Sequence, residues 1–151
     1  MSKFGKQSLN SLMGVHPDLG RLMTEAIKNT PIDFTITDGG RTAATQHSLW
    51  LKGRDANGKV INASQVVTNA DGYINKSNHQ VKSDTYFHAV DLYPYVDGRI
   101  DFNDTHKHLP TIATHIKKVA KELGIGISWG GDWKATKTKP KGWDKPHFEL
   151  L

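Results

Sequence analysis

Two segments near opposite ends of the chain carry apolar residues at the spacing of one helix face. The first runs from Pro17 to about Asn29, and the second runs from Pro110 to Leu123 with Gly124 as its C-cap. A helix with one apolar stripe has to bury that stripe against another layer of structure. Because 151 residues can bury one sizeable core, we expect a single domain over residues 1–151.

Short strands and one more helix are predicted between and after these two helices. Residues 33–37 alternate like a strand and run into a turn at Gly39-Gly40, and residues 42–51 favour a helix closed by Gly53. The order of elements has no βαβ rhythm, so it predicts an α+β fold with a small antiparallel sheet flanked by helices. The remaining strands are predicted at 87–93, 99–102, 125–129 and 146–150, with a hairpin tip at Asp97-Gly98.

The segment from 52 to 86 lacks a clear period over most of its length. Asn57-Gly58 and Asp71-Gly72 are turn signals, so this segment predicts a loop or a hairpin excursion. A stretch beginning at Asp55 is faintly similar to a calcium-binding loop, but the other ligand positions of that motif are missing. A turn is therefore the preferred interpretation at that point.

The charge of the chain favours an anionic partner. The formal net charge is +5 at pH 7 and the sequence pI is about 9.4, which suits an anionic cell wall or outer-membrane surface. No nucleic-acid-binding motif is present, so no nucleic-acid partner is expected. A basic patch or simply a solvated loop is predicted from the late lysines, which are Lys134, Lys137, Lys139, Lys141 and Lys145.

The absence of cysteine limits the metal chemistry that the chain can support. A transition metal would have to be held by histidine and carboxylate side chains, because no thiolate is available. The chain has eight histidines, and five of them show no pattern of carboxylate partners. Surface positions are expected for these five, which are His16, His47, His106, His108 and His115.

Asp91 is a carboxylate inside an apolar strand, where it follows Ala89 and Val90 and precedes Leu92. Burying an ionised carboxylate is costly unless it is paired or bound to a metal ion. An ordinary buried salt bridge is one interpretation of this residue. A metal ligand is the other.

A second candidate metal ligand lies near the end of the chain. His147 falls on the predicted last strand, and Asp144 precedes it by three residues. Two histidines, one carboxylate and an open position for water form a known catalytic zinc arrangement. Asp144 could then take a proton from that water.

Taken together, the motifs of this chain resemble those of the VanX/VanY-type zinc peptidases. That group includes D-alanyl-D-alanine carboxypeptidases and phage L-alanyl-D-glutamate endopeptidases. The similarity extends over nearly the whole chain and keeps the order of the motifs. The matching motifs are Gly14-Val-His16-Pro17-Asp18-Leu19, Phe34 to Thr42 with Gln46, Ser77-Asn-His79, Ala89-Val90-Asp91, Trp129-Gly-Gly-Asp132-Trp133 and Asp144-Lys-Pro146-His147-Phe148-Glu149-Leu150.

The resemblance implies a role for each of five residues. His79, Asp91 and His147 would bind Zn²⁺, and Asp144 would act as the general base. Arg41, after the Gly-Gly turn, would contact the substrate or the polarised carbonyl oxygen, where a fixed cation can stabilise an oxyanion. The resemblance also implies a hedgehog/DD-peptidase-like fold, and we expect a monomer.

One spacing departs from the family pattern. The ligand histidine and aspartate usually lie seven positions apart with a glycine between them, whereas His79 and Asp91 are twelve apart without that glycine. Either five residues form an inserted loop, or His88 has become the ligand. Strand alternation places Asp91 on the same face as Ala89 and His88 on the opposite face, which favours His79.

The predicted function is that of an endolysin, a peptidase that cuts the stem peptides of peptidoglycan. The L-Ala–D-Glu bond is the expected target, with D-Ala-D-Ala carboxypeptidase activity and a non-catalytic wall-binding protein as alternatives. Because no signal peptide or membrane-spanning stretch is recognised, we expect the protein to stay in the host cytoplasm until a holin-type pore admits it to the wall.

Overall fold

The computed structural model describes residues 2–103 and 107–151. The prediction of an α+β fold with an antiparallel sheet flanked by helices is confirmed. Two short 3₁₀ turns accompany the helices, at Ala63–Gln65 and Gly130–Asp132. The helices are α1 (Lys6–Ser11), α2 (Pro17–Lys28), α3 (Ala43–Leu51) and α4 (Leu109–Leu123), and the strands are β1 (Phe34–Asp38), β2 (Ala89–Val96), β3 (Arg99–Ile100), β4 (Ile127–Trp129) and β5 (His147–Leu150).

The sheet has the strand order β1-β2-β5-β4, and every pairing in it is antiparallel. β3 pairs with the far end of β2 through a turn at Asp97-Gly98, where both residues have positive φ, as the tight hairpin turn requires. In the centre of the sheet Asp91 lies opposite His147 on one side and opposite Asp38 on the other. The register thus brings two predicted metal ligands together.

Helices α2 and α4 pack with the sheet around one hydrophobic core. Val90 and Leu92 are fully buried in that core, and the side chains of strand neighbours point to opposite faces. Asp91 therefore points away from the helical layer, toward the other face of the sheet. The buried helix residues are Leu19, Leu22, Met23, Ala26 and Ile27 of α2, and Leu109, Ile112, Ala113, Ile116 and Ala120 of α4.

Helix α1 was not predicted, because its residues show no apolar period. Its position depends instead on a contact with a distant part of the chain. The buried Ser8 hydroxyl accepts a hydrogen bond of 3.0 Å from the backbone N–H of Ile36 in β1. This bond satisfies a buried donor, and leaving such a donor unpaired is costly.

The 52–86 segment contains turns, one 3₁₀ turn and an isolated bridge between Arg54 and Val60, and the structure describes no strand there. Asp55 Oδ1 accepts hydrogen bonds from two backbone N–H groups of its own turn, as the turn interpretation expects. Asp71 Oδ1 accepts three. Two of the predicted strands are shorter in the structure. The strand predicted at 99–102 ends at Ile100, and the strand predicted at 125–129 begins at Ile127.

The prediction of surface positions for five histidines is too simple. The four that lie within the described residues are partly buried, and His106 lies outside them. His16 caps α2 by accepting the Asp18 N–H, and His115 Nε2 lies 2.8 Å from the Ala26 carbonyl oxygen. A ring nitrogen of His16 thus caps a helix, and a ring nitrogen of His115 contacts a backbone carbonyl of another helix.

Candidate active site

The three predicted metal ligands meet on the open face of the sheet. His79 Nε2 lies 3.1 Å from His147 Nδ1, and each nitrogen lies close to Asp91 Oδ1, at 3.3 Å and 3.4 Å respectively. His79 comes from the loop before β2, Asp91 from β2 and His147 from β5. Tertiary pairing, and not proximity in the chain, therefore assembles this group.

The geometry of these three atoms fits a tetrahedral zinc ion. Zinc bond lengths of about 2.0–2.1 Å place neighbouring ligand atoms about 3.3–3.4 Å apart. The three observed separations are 3.1, 3.3 and 3.4 Å. In addition, Asp91 Oδ1 is buried and has no hydrogen-bond partner among the described residues. A buried carboxylate oxygen without a partner is costly, and a cation placed between the three atoms would satisfy it.

The loop after β1 fixes the orientation of His79. The imidazole is 1% exposed, and its Nδ1 lies 2.8 Å from the carbonyl oxygen of Gly39. A carbonyl can only accept, so Nδ1 carries the proton and Nε2 presents its lone pair to the other ligands. A Cβ on Gly39 would collide with the backbone oxygen of Ser11, so the loop can lie this close only with glycine there.

Glu149 and Asn78 lie behind His147. The Nε2 atom of His147 lies 3.5 Å from Glu149 Oε2, and Asn78 donates a hydrogen bond to the same carboxylate oxygen. Burial alone would raise the pKa of Glu149, but its contacts with His147 and Asn78 lower it. For His147, burial works toward a lower pKa, but Asp91 and Glu149 outweigh it and raise the pKa to about 9. The second nitrogen thus faces an ionised carboxylate, the usual partner of a metal-bound histidine.

Arg41 holds the other oxygen of Asp91. Its guanidinium lies 3.1 Å from Asp91 Oδ2, 2.8 Å from Asp38 Oδ2 and 3.2 Å from Gln46 Oε1. Burial would raise the pKa of Asp91, but its close contacts with His147 and His79 keep that pKa well below its usual range. Arg41 thus positions the predicted metal ligand Asp91, and its contact with the substrate remains a prediction.

Asp144 lies beside the three ligands. Its Oδ2 atom is 3.9 Å from His147 Nδ1, and its side chain is 28% exposed. Burial and the charge of Asp91 raise its pKa to about 6. The backbone of Asp144 packs directly against Gly130. Only glycine allows this approach, because a Cβ there would overlap the Asp144 carbonyl oxygen. A carboxyl with this pKa can exchange a proton near neutral pH.

A cavity of about 620 Å³ opens over the site. Its wall includes segment 67–70, the stretch leading to His79 and, next to one another, Trp133, Trp143 and Lys139. Tyr93 also lines the cavity, and its pKa is raised by burial and by the charges of Asp91 and Asp144. Its phenol therefore stays protonated and able to donate a hydrogen bond. The cavity is large enough to hold a short peptide over the ligands.

Comparison with known proteins places the chain in a family. A family model described as phage L-alanyl-D-glutamate peptidase matches residues 1–151. The chain belongs to this family. It is 31% identical to the L-alanyl-D-glutamate peptidase of Escherichia phage T5, over 99% of this chain and 98% of that protein. The resemblance stated from the motifs is therefore confirmed.

Two further relatives of this chain are bacterial proteins. The peptidoglycan L-alanyl-D-glutamate endopeptidase CwlK of Bacillus subtilis is 31% identical over 83% of this chain and 65% of that protein. The crystal structure of the Serratia marcescens L-Ala D-Glu endopeptidase ChiX superposes with a TM-score of 0.70 at 27% identity. That match covers 99% of this chain and 90% of that one.

The loop between His79 and Asp91 explains the unusual spacing in this family member. Residues 82–86 form a tight turn in which the Lys82 N–H donates to the Tyr86 carbonyl. The His88 N–H then donates to the Asn78 carbonyl, so the chain returns to the residue next to His79. The extra residues therefore fold outward as an insertion. His88 Nε2 lies 2.7 Å from Asp84 Oδ2, not beside Asp91.

A second group of two histidines and one carboxylate consists of His16, Asp84 and His88. The Asp18 N–H donates to His16 Nδ1, so a neutral His16 carries its proton on Nε2, the nitrogen 3.8 Å from Asp84 Oδ2. Metal binding through Nε2 would require that proton to be lost or the helix cap to be broken. The arrangement fits an ion-pair cluster on the surface better than a metal centre.

Sequence reasoning did not assign the residues that support the ligands. Glu149 and Gln46 stood in the quoted motifs without a role, and Asp38 stood within one. Tyr93 lies two positions after Asp91 and therefore on the same face of β2, a signal that the sequence contained. Asn78 could not have been found, because its contact with Glu149 joins residues 71 positions apart.

Proposed function

We propose that this protein is a zinc-dependent peptidase that hydrolyses the L-alanyl–D-glutamate bond in the stem peptides of peptidoglycan. The observation that carries this proposal is the meeting of His79 Nε2, Asp91 Oδ1 and His147 Nδ1 within 3.1–3.4 Å at the floor of a peptide-sized cavity. Membership of the family and the activities named for its relatives support the choice of bond.

His79, Asp91 and His147 would hold the ion, and each would contribute one ligand atom. A divalent ion bound there supplies Lewis acidity, which acidifies water and polarises a peptide carbonyl. Two neutral imidazoles and one carboxylate leave the site with a net positive charge in that state. Zinc suits this set of ligands, and the same ligands would also bind cobalt or manganese.

Asp144 is the group that moves protons. Its Oδ2 atom lies 3.9 Å from a ligand atom, close enough to accept a proton from water that attacks the peptide carbonyl. The same carboxyl then donates that proton to the amine that leaves. Its raised pKa makes both transfers feasible near neutral pH, since the group holds a proton only weakly there.

The remaining charged residues keep these groups in place. Arg41 holds Asp91 Oδ2, so that Oδ1 stays directed toward the two imidazoles. Glu149 faces His147 Nε2, and the Gly39 carbonyl fixes the proton of His79. Such outer contacts orient the ligands before the ion arrives, which preorganises the site.

Digestion of purified peptidoglycan sacculi tests the proposal. New fragments with N-terminal D-glutamate, identified by mass spectrometry, are the expected products. Release of free D-alanine would instead support the D-Ala-D-Ala carboxypeptidase alternative. Binding to sacculi without any new terminus would support a non-catalytic wall-binding protein. Metal analysis of the same preparation should find about one zinc ion per chain.

We also propose that the protein is an endolysin that lyses its host, as its similarity to a phage peptidase suggests. It would reach the wall from the host cytoplasm through a holin-type pore, act as a monomer, and use its late lysines to bind the anionic wall. None of the described helices is long and apolar enough to cross a membrane. Export of the protein from intact cells by its own N-terminus would contradict this route.

A further inference from the structure

Lys139 is a cation at the cavity without a carboxylate partner. A tight turn fixes its backbone, since the Thr136 N–H donates to its carbonyl at 2.8 Å and its own N–H donates to Thr136 Oγ1 at 3.0 Å. Its ammonium lies 5.9 Å from the centre of the Trp143 ring, and no carboxylate in residues 2–103 or 107–151 forms an ion pair with it. A cation–π contact leaves the N–H groups of an ammonium able to bind an anion.

A chain of aromatic rings connects Lys139 to the reacting groups. The rings of Trp143 and Trp133 lie 5.6 Å apart, and Trp133 lies 4.9 Å from the His147 imidazole. Asp144 follows Trp143 directly in the chain. Lys139 is therefore on the same wall as the proton-transferring carboxyl. Another cation, Lys76, also lines the cavity, and it lies three positions before His79 in the chain.

This wall is where the amine side of the scissile bond has to lie. The argument rests on the proposed function, in which Asp144 donates a proton to the leaving amine. In an L-alanyl–D-glutamate bond that amine belongs to the glutamyl residue. A glutamyl residue inside a peptide keeps one free carboxylate, whichever of its two carboxyl groups continues the chain. The carboxylates of Asp144 and Glu149 would repel this anion unless a cation offsets them.

We propose that Lys139 binds the free carboxylate of the D-glutamyl residue and makes the enzyme selective for glutamate over its amidated form. An ammonium–carboxylate hydrogen bond is stronger than an ammonium–carboxamide bond, because both partners are charged. The Trp143 ring, 5.9 Å from the ammonium, keeps the charged end of Lys139 at this part of the cavity. Selectivity would thus come from a residue that touches neither the ion nor the scissile carbonyl.

Two synthetic stem peptides test this assignment. They are identical except that one carries D-glutamate with its free carboxylate and the other carries the carboxamide at that position. Product formation measured by chromatography gives kcat/KM for each. Wild-type enzyme should prefer the carboxylate peptide by about tenfold. Lys139→Gln should remove that preference by slowing cleavage of the carboxylate peptide, and Lys139→Arg should retain most of the preference.

Lys137→Gln is the matched control, because Lys137 belongs to the same turn and carries the same charge but does not line the cavity. Its preference should equal that of the wild type. The assignment is overturned if Lys139→Gln keeps the preference, if Lys76→Gln abolishes it instead, or if the wild type cleaves both peptides equally. In those cases the proposed function stands. Failure of the wild type to cleave the bond in either peptide would overturn the proposed function itself.

Discussion

Asp144 differs from the three predicted metal ligands in its surroundings. Each ligand has a supporting contact, whereas the structure describes no hydrogen bond to the Asp144 side chain, and its nearest ionic contact is His147 at 3.9 Å. Burial without a compensating bond is the main reason for its raised pKa. The burial that raises the pKa of Asp144 would suit it to proton transfer, and it also lowers the stability of the folded protein.

Asp144→Asn should remove catalysis and leave the metal site in place. The amide has nearly the same shape but cannot accept a proton, so kcat should fall by about 10²–10⁴-fold. Zinc content, measured by metal analysis, should remain that of the wild type. Full lytic activity of this variant in a zone-clearing assay would contradict the assignment of Asp144.

The same substitution should stabilise the metal-free protein at neutral pH. The folded-state pKa of Asp144 is about 6, above the ordinary value of 3.8, so the wild type loses stability as the pH rises from about 4 to 6. The variant carries no such group. We expect equal urea stability at pH 4 and an advantage for Asp144→Asn of as much as about 3 kcal/mol above pH 6. Equal stability at both pH values would show that burial of Asp144 is not costly.

Arg41→Lys should weaken zinc binding. A single ammonium cannot replace a guanidinium that contacts Asp91, Asp38 and Gln46 together. Loss of such an outer contact typically lowers metal affinity about 10–100-fold. Competition against a chelator measures this affinity. If Arg41 acts only on the substrate, zinc affinity will not change and kcat/KM alone will fall.

At the scale of elements, strand pairing decides the site. β2 and β5 pair so that Asp91 and His147 are partners, and the loop after β1 holds His79 against them. The insertion at 82–86 closes on itself and leaves this pairing intact. Ligand spacing in the chain can therefore vary while spacing in the sheet does not.

His88→Ala should keep the metal at the active site, because His88 contacts Asp84 in the inserted turn and not Asp91. We expect about one zinc ion per chain and activity similar to the wild type. His79→Ala is the matched comparison, and it should lose most of the bound zinc. Loss of zinc from the His88 variant would restore the interpretation that His88 is the ligand.

At the scale of the whole molecule, metal binding, protonation and folding are linked. The predicted ligands come from three separate parts of the chain, so a bound ion would tie these parts together. His147 has a raised pKa of about 9 in the metal-free protein, because Asp91 and Glu149 outweigh the effect of burial. Zinc requires an unprotonated nitrogen, so the ion competes with a proton at this residue.

Zinc uptake should therefore release about one proton per chain at pH 7 to 8. Below a pH of about 9 the metal-free His147 is protonated, so apparent zinc affinity should fall as the pH decreases. Calorimetric titrations in buffers of different ionisation enthalpy count the protons directly. Affinity that does not change between pH 6 and 8 would contradict this linkage. The thermal midpoint should also rise when zinc is added.

The sequence alone determined the helices with strong apolar stripes, the α+β class and the candidate ligands. α2 and α4 could be predicted because burying one face imposes a period on the residues. Asp91 stood out because a carboxylate in an apolar strand needs a partner. These signals are local, so they can be read from neighbouring residues.

Only the tertiary structure decided how those residues work together. It showed that Arg41 contacts Asp91, and it separated His79 from His88 as candidate ligands. It also revealed α1 and the contact between Asn78 and Glu149. The physical reason is that hydrogen bonds and ion pairs between distant segments leave no periodic trace in the chain, because each depends on strand register and loop path.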